Sequence, residues 1–286
     1  MKKLLLQLDS DKHPSSFDRI VAFDAGADEV LSYSQVTVED IPGLVQGGFF
    51  TRGIPDLKNT AIWIGGSKVP TGEALLKAVQ ETFFGPFNLS VMLDSNGCNT
   101  TAATAVAKIV KALDVRGQKV VVGAGTGPVG MRAAGLLALE EADVVLTSRR
   151  EDGAQAAADI VNKRFNVSAV KGARLVDDAS AREVLDGAIA VVTCGAAGAQ
   201  IVSKAVWTNI PSLKLIADIN AVPPLGIEGI DMNDNGQERE GRISFGALGI
   251  GGRKMRVHRT CVARLFEAND VVMDAEQVYA VAKELV

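Results

Sequence analysis

Residues 119–130 read "KVVVGAGTGPVG", and the fold turns on that stretch. The β-branched run Val120, Val121, Val122 is a short strand pattern, and Gly125, Gly127 and Gly130 follow at G-x-G-x-x-G spacing. An amphipathic pattern over residues 129–141 comes next. Strand, glycine turn and helix in this order form the context of a dinucleotide-binding unit. Gly125 allows a tight turn, Gly127 lets a pyrophosphate approach the backbone, and Gly130 lets the helix pack close to the strand. Thr126, Pro128 and Val129 complete the turn, and Pro128 suits a first helical turn because it has no N–H to leave orphaned. The unpaired N–H groups and positive dipole end of the helix are then offered to phosphates. The alternative is a tight strand–turn–helix that holds no ligand.

In such units an acid about twenty residues on, at the end of the next strand, binds the adenosine ribose hydroxyls. Here that strand end reads "VLTSRR", residues 145–150. Ser148 offers a hydroxyl, and Arg149 and Arg150 offer guanidinium forks. An acid would repel a 2′-phosphate, whereas each charge-assisted hydrogen bond to it contributes about 1.5–3 kcal/mol. The pattern points to NADP. The sequence does not rank the two arginines, and a solvated basic turn is the competing reading.

Outward from this unit, short apolar runs alternate with amphipathic ones. Strands are expected at residues 4–8, 29–33, 60–64 and 89–93, with helices at 16–24, 38–46 and 71–84. Further strands are expected at 119–122, 144–147, 188–193 and 213–218, with helices at 129–141, 154–165 and 179–185. A helix over 100–113 links the halves, residues 231–241 read as a polar loop, and a last helix covers 274–286. The fold class is α/β, with two open-sheet domains, the second a Rossmann-type doubly wound parallel sheet. The expected division is 1–112 with the C-terminal helix 273–286, and 113–272, with the active site in the interdomain cleft.

The chain has 286 residues, 47% hydrophobic and 22% charged, with net charge −4. That balance suits a globular protein and gives no electrostatic footprint for nucleic acid or an anionic membrane. The three cysteines, Cys98, Cys194 and Cys261, have neither zinc-ligand nor CxxC spacing, which fits a reduced cytoplasm. The opening run breaks at Asp9 and reads as a strand rather than a signal segment. With His13 and His258 far apart, no metal site is expected.

Two loops should border the reacting end of the coenzyme. One is "TCGAAG", residues 193–198, where Thr193, Cys194, Gly195 and Ala196 are small enough to let a ribose and ring approach. Cys194 reads there as packing, since no basic partner is nearby in sequence. The other loop follows residues 213–217. Asp218 is a candidate substrate contact and Asn220 a candidate catalytic one, and both are equally candidates for capping the turn. A second glycine-rich run, "FGALGIGG" at residues 245–252, reads as a loop before a helix, with Gly246, Ala247 and Leu248 against the coenzyme. Lys254, Arg256 and Arg259 follow, and His258 reads as structural.

Several stretches together resemble the NADP-dependent methylene-tetrahydromethanopterin dehydrogenases of methylotrophic bacteria. They are "LDSNGCNTTAA" (93–103), "AGTGPVGMR" (124–132), "PPLGIEGID" (223–231), "FGALGIGG" (245–252), "FDRIVAFDAGAD" (17–28) and "FFGPF" (83–87). The resemblance covers nearly the whole chain. It implies hydride transfer from methylene-tetrahydromethanopterin to NADP, giving the methenyl form in one-carbon (formaldehyde) metabolism. Some members also accept methylene-tetrahydrofolate. It implies a pterin near Phe17, Asp18, Asn99, Thr101 and Lys254: Phe17 against the ring, Asp18 on the pterin amide and amine, Asn99 and Thr101 toward the imidazolidine end, Lys254 for orientation. Helix capping is the competing role for Asn99 and Thr101. A homo-oligomer, such as a trimer, is also implied. Folate-metabolising relatives pair Tyr-xxx-Lys for a cyclohydrolase step; here Tyr33 is followed by Thr37. That departure implies a dehydrogenase without cyclohydrolase activity. A folate- or shikimate-type NADP dehydrogenase and a non-catalytic NADPH sensor are the alternatives.

Overall fold

The computed structural model describes residues 1–286. Strand β1 (Leu4–Leu8) leads through α1 (Ser16–Asp24) to β2 (Glu29–Tyr33). A 3₁₀ turn at Val38–Asp40 opens α2 (Ile41–Phe49), followed by β3 (Thr60–Ile64), α3 (Val69–Thr82) and β4 (Ser90–Leu93). Helix α4 (Cys98–Ala112) precedes β5 (Lys119–Gly123), α5 (Pro128–Leu139), β6 (Asp143–Ser148), α6 (Glu151–Phe165) and β7 (Val170–Arg174). Then come α7 (Asp178–Leu185), β8 (Ala190–Thr193), α8 (Lys204–Trp207), β9 (Leu215–Asp218), β10 (Asn235–Arg239) and β11 (Arg242–Phe245). Helix α9 (Ala247–Arg264), β12 (Val272–Met273) and α10 (Ala275–Leu285) end the chain.

The chain forms two compact units, Met1–Thr100 with Met255–Leu285, and Thr101–Lys254. Sequence reasoning places the divisions at 112/113 and 272/273. The contacts place them inside α4 and α9, because each helix has its ends in different units and composition does not change along it.

The first unit holds a parallel five-stranded sheet in the order β12-β4-β3-β1-β2. Its central strand β3 is buried on both faces, as βαβ crossovers covering both sides require. Leu6, Leu8, Ile62 and Ile64 pack with Ile41, Val45 and Phe49 of α2 and Leu75 and Val79 of α3. Truncating a fully buried side chain such as Leu75 to alanine removes about 2–5 kcal/mol.

The second unit holds seven strands in the order β10-β11-β9-β8-β5-β6-β7. All pairs are parallel except the edge pair β10–β11. Reading β5, β6, β7, β8, β9 and β11 as first to sixth gives 3-2-1-4-5-6 from the β7 edge, the doubly wound order. The order reverses between β5 and β8. Val121, Val191 and Ile216 from neighbouring strands pack with Val206 and Trp207 of α8, and Trp207 Nε1 donates to the Glu228 carbonyl at 2.8 Å.

Several elements differ from expectation. Residues 231–241 are not a plain loop, since β10 pairs antiparallel with β11 across a two-residue turn. Glu240 and Gly241 both have positive φ, 48° and 75°, the primed turn that matches strand twist. Polar side chains mask this edge strand, and the buried Asp234 carboxylate accepts bonds from Arg239 and Ser244. The run 246–252 is mostly helix: α9 starts at Ala247 and carries Gly249, Gly251 and Gly252 inside it. Strand β7, "VKGAR", lacks an apolar run and escapes a hydrophobicity reading; pairing with β6 makes it a strand.

Candidate functional site

A cleft of about 480 Å³ opens in the second unit, beyond the carboxyl ends of its strands at the reversal of strand order. Four strand ends contribute to it: Ala124, Thr126 and Gly127 after β5, Ser148 and Arg149 at β6, Leu175 and Val176 after β7, and Cys194, Gly195 and Ala196 after β8. Ala199, Gln200 and Ile201 continue the last wall.

The glycine turn is shaped by backbone contact. A Cβ on Gly130 would sit 2.5 Å from the Gly125 Cα, so no other residue fits while α5 keeps its approach to β5. A Cβ on Gly127 would meet nothing within 4 Å, which leaves the face toward the cleft open for a phosphate group. Gly127 has extended backbone, φ −79° and ψ 169°, and Pro128 begins α5 behind it. Thr147 pins the turn from the neighbouring strand. Its hydroxyl accepts the Ala124 N–H at 3.0 Å and its carbonyl accepts the Gly125 N–H at 2.9 Å. Of the predicted turn residues, Thr126 and Gly127 line the cleft, and Gly125, Pro128, Val129 and Gly130 do not.

The two arginines part here. Arg149 lines the cleft beside Ser148. Arg150 lies outside it, its side chain 79% exposed and paired with Asp152 in the first turn of α6. That pairing raises the Arg150 pKa and holds the Asp152 carboxyl below the usual carboxylate range. Nothing acidic lines the cleft.

Cys194 faces the cleft, and burial, aided by the Asp218 charge, pushes its thiol up to about 12. A thiol held that high stays protonated at neutral pH. Thr193 is fully buried, with its hydroxyl on the Asp218 carboxylate at 2.8 Å rather than in the cleft. Asp218 is fully buried at the end of β9, and Asn220 is 6% exposed with its amide spent on Val222 and Pro224. Burial raises the Asp218 pKa, opposed by bonds from Asn220, Thr193 and Gly226. The expected substrate roles of Asp218 and Asn220 thus find both side chains engaged by their own loop. Gly246, Ala247 and Leu248 do not line the cleft; the Gly246 and Leu248 N–H groups bond the Asp234 and Met232 carbonyls.

In the first unit, α1 places Phe17 and Asp18 at its N-terminus, capped by Ser15, whose hydroxyl accepts the Asp18 N–H at 3.2 Å. Phe17 is 48% exposed and its ring lies 6.0 Å from the ring of His258. His258 is buried and stacked on Trp63 at 4.6 Å with 14° between planes. Asp18 and Asp9 both bring a carboxylate oxygen to Gly65, 3.6 and 3.1 Å from where a Cβ would stand. The Asp9 carboxylate is spent within its own loop, accepting the Asp11 N–H at 2.8 Å and the Ser15 N–H at 3.1 Å. Lys254 lies one turn before His258 on α9 and is half-buried. Asn99 is fully buried and donates to the Leu93 carbonyl at 2.7 Å and Asp274 at 2.9 Å. Asp94 caps α4 through the Thr100 N–H and hydroxyl, and the neighbouring Thr101 is half-buried.

Leu175, Val176, Ala199, Gln200 and Ile201 escape sequence reasoning. The first pair follows a strand without an apolar run; the others lie in a segment without secondary structure. Regular βαβ alternation, which requires a strand between α6 and α7, was the available signal for the first pair. No helix is long and apolar enough to cross a membrane, and no three His, Cys, Asp or Glu residues gather where they could hold a metal ion.

Residues 16–96 match the family model for the N-terminal domain of methylene-tetrahydromethanopterin dehydrogenase. Over 286 residues the chain is 52% identical to the bifunctional protein MdtA of Methylorubrum extorquens, covering 99% of both chains. It is 31% identical to that organism's NAD(P)-dependent methylenetetrahydromethanopterin dehydrogenase, again covering 99% of each. Among solved structures, quinate dehydrogenase from Corynebacterium glutamicum superposes with a TM-score of 0.52 at 16% identity, covering 99% of both chains. That likeness is one of fold.

Proposed function

This chain belongs to the methylene-tetrahydromethanopterin dehydrogenase family, and from that premise we propose that it oxidises methylene-tetrahydromethanopterin to the methenyl form with NADP as hydride acceptor. The observation that carries the coenzyme choice is Arg149 beside Ser148 in a cleft whose lining has no carboxylate. A ribose hydroxyl pair calls for an acceptor at this strand end, and a 2′-phosphate calls for donors and positive charge.

When bound, the coenzyme supplies a nicotinamide ring that accepts a hydride. The residues do the holding. Gly127 and the first N–H groups of α5 receive the pyrophosphate, and Ser148 and Arg149 receive the 2′-phosphate. Leu175 and Val176 offer apolar contact to the adenine. Cys194, Gly195 and Ala196 form a wall of small groups for the other half.

The substrate methylene bridges two nitrogens. Loss of hydride leaves a cation shared over N–C–N, and no proton moves, so no general base is needed. A cleft with neither histidine nor carboxylate in its lining, and a Cys194 thiol that stays protonated, suits that chemistry. Positioning then supplies the rate. Phe17 packs against the pterin ring, Asp18 accepts from its amine and amide, and Lys254 and Thr101 orient it. Asn99, held by Leu93 and Asp274, supports the helix start rather than meeting substrate.

The product is released unhydrolysed in this reading. The residue four beyond Tyr33 is Thr37, whose hydroxyl donates to Asp40 at 3.0 Å, and the chain's Tyr-xxx-Lys spacing falls instead at Tyr279 and Lys283 on α10, where the ammonium lies 4.8 Å from the tyrosine ring centroid. Turnover of purified protein, followed by NADPH and methenyl absorbance with methylene-tetrahydromethanopterin and methylene-tetrahydrofolate, tests all of this. NADPH formation with a persistent methenyl signal is expected. Turnover with NAD but not NADP would overturn the coenzyme assignment, and decay of the methenyl band at an enzyme-dependent rate would reveal a cyclohydrolase.

A further inference from the structure

The cleft wall formed by residues 194–201 has no helix or strand of its own. Apart from the Ala199 N–H on the Ala196 carbonyl at 3.2 Å, its hydrogen bonds go elsewhere. Cys194 N–H donates to the Gly123 carbonyl at 2.8 Å, which ties the near end to β5. Gly198 N–H donates to the Val222 carbonyl at 3.1 Å, and Ile201 and Val202 N–H both donate to the Gly226 carbonyl at 2.8 and 3.0 Å. The rest of the wall therefore hangs from the loop after β9, which contains Val222 and Gly226.

That loop is itself held by two side chains. Asp218 Oδ2 accepts the Gly226 N–H at 2.7 Å, while Oδ1 accepts the Thr193 hydroxyl at 2.8 Å and the Asn220 N–H at 3.1 Å. Asn220 closes the loop on itself, accepting from Val222 N–H at 2.9 Å and donating to the Val222 and Pro224 carbonyls at 3.0 and 3.2 Å. Gly226 has no room for a side chain: a Cβ would lie 2.7 Å from Thr193 Oγ1 and 2.8 Å from Asp218 Oδ1. One buried carboxylate thus grips both the strand end where the wall begins and the residue from which its far end hangs.

We infer that Asp218 and Asn220 are positioning residues for the coenzyme, acting through the wall 194–201 and touching neither ligand. This rests on the reading of the cleft as the NADP site. The groups facing the Asp218 carboxylate are a hydroxyl and backbone N–H groups, all of which can donate. The carboxylate satisfies every one of them. An asparagine at 218 would turn an NH₂ group toward donors, and either the strand end or the loop return would be released. Loss of the grip lets the wall move while Gly127 and Arg149, on other loops, stay in place.

The test is NADPH binding by fluorescence titration, together with steady-state KM values, for wild type, Asp218→Asn and Asn220→Ala. The expected result is a rise in NADPH Kd for both variants, about tenfold or more for Asp218→Asn, the loss of a buried charged hydrogen-bond acceptor, and smaller for Asn220→Ala. The KM for methylene-tetrahydromethanopterin should stay within twofold in both. Asn220→Ala keeps the question answerable if Asp218→Asn does not fold, and near-UV circular dichroism decides which variants are folded. A folded variant with unchanged NADPH Kd, or with a raised pterin KM alone, overturns the inference and returns the residues to substrate contact. Failure of the wild type to bind NADPH would instead overturn the reading on which it rests.

Discussion

The two walls of the cleft in the second unit are built on different principles. The wall after β5 is local. Its shape follows from glycines packed on one another within six residues of sequence, with Thr147 as a single outside pin. The opposite wall, residues 194–201, is borrowed. Its backbone bonds run to a loop some twenty residues on, and that loop is shaped by a buried carboxylate and amide. The first wall tolerates no side chain where backbone meets backbone. The second tolerates small changes in its own residues but not in the groups that hold it.

The largest effect should come from the local wall. Gly130→Ala places a methyl 2.5 Å from the Gly125 Cα, so α5 must back away from the turn. We predict at least a hundredfold weaker NADPH binding, measured by fluorescence titration. A variant that binds within threefold of wild type would show that α5 position does not matter.

Arg149→Ala comes next. With about 1.5–3 kcal/mol lost from a charge-assisted contact that stays partly open to solvent, the KM for NADP should rise about tenfold to a hundredfold. The KM for NAD should change less than threefold, since NAD lacks the 2′-phosphate. Equal changes with both coenzymes would end the assignment of Arg149 to that phosphate.

The borrowed wall predicts a milder outcome at its own surface. Cys194→Ala keeps a small side chain on an anchored backbone, so NADPH Kd should stay within about threefold. Because burial pushes the thiol up to about 12, the thiolate fraction at pH 8 is on the order of one in ten thousand. Iodoacetamide should accordingly label native protein far more slowly than free cysteine. Rapid labelling of Cys194 would mean that the wall opens in solution.

The smallest effect belongs to Arg150→Ala. Its exposed pair with Asp152 contributes little, and its side chain is outside the cleft. NADP and NAD kinetics should both match wild type within twofold. A selective loss of NADP affinity would exchange the roles of Arg149 and Arg150.

A further prediction concerns the β10 edge. Asp234 is buried, a position that by itself would raise its pKa, yet bonds from Arg239 and Ser244 hold the carboxyl below the usual range. A lowered carboxylate pKa stabilises the fold above the unfolded value and loses that contribution as pH falls through the folded one. The thermal midpoint should therefore drop as pH is lowered from about 5 toward 3, and Asp234→Asn should flatten that dependence. An unchanged slope in the variant would assign the acid sensitivity to other groups.

From sequence alone came the alternation of strands and helices, the two-sheet architecture, the glycine turn and the donor-rich end of β6. These are legible because each is a short-range physical demand: a β-branched run, a missing Cβ, a charge of the wrong sign for a ribose. The tertiary structure alone decided which arginine enters the cleft, since that depends on Asp152 capturing Arg150. It made strands of "VKGAR" and of the polar segment at β10, where pairing overrides hydrophobicity. It also showed Asp218, Asn220 and Asn99 turned toward their own backbone, because whether a polar side chain at a strand end meets ligand or loop depends on which carbonyls and N–H groups the fold brings within reach.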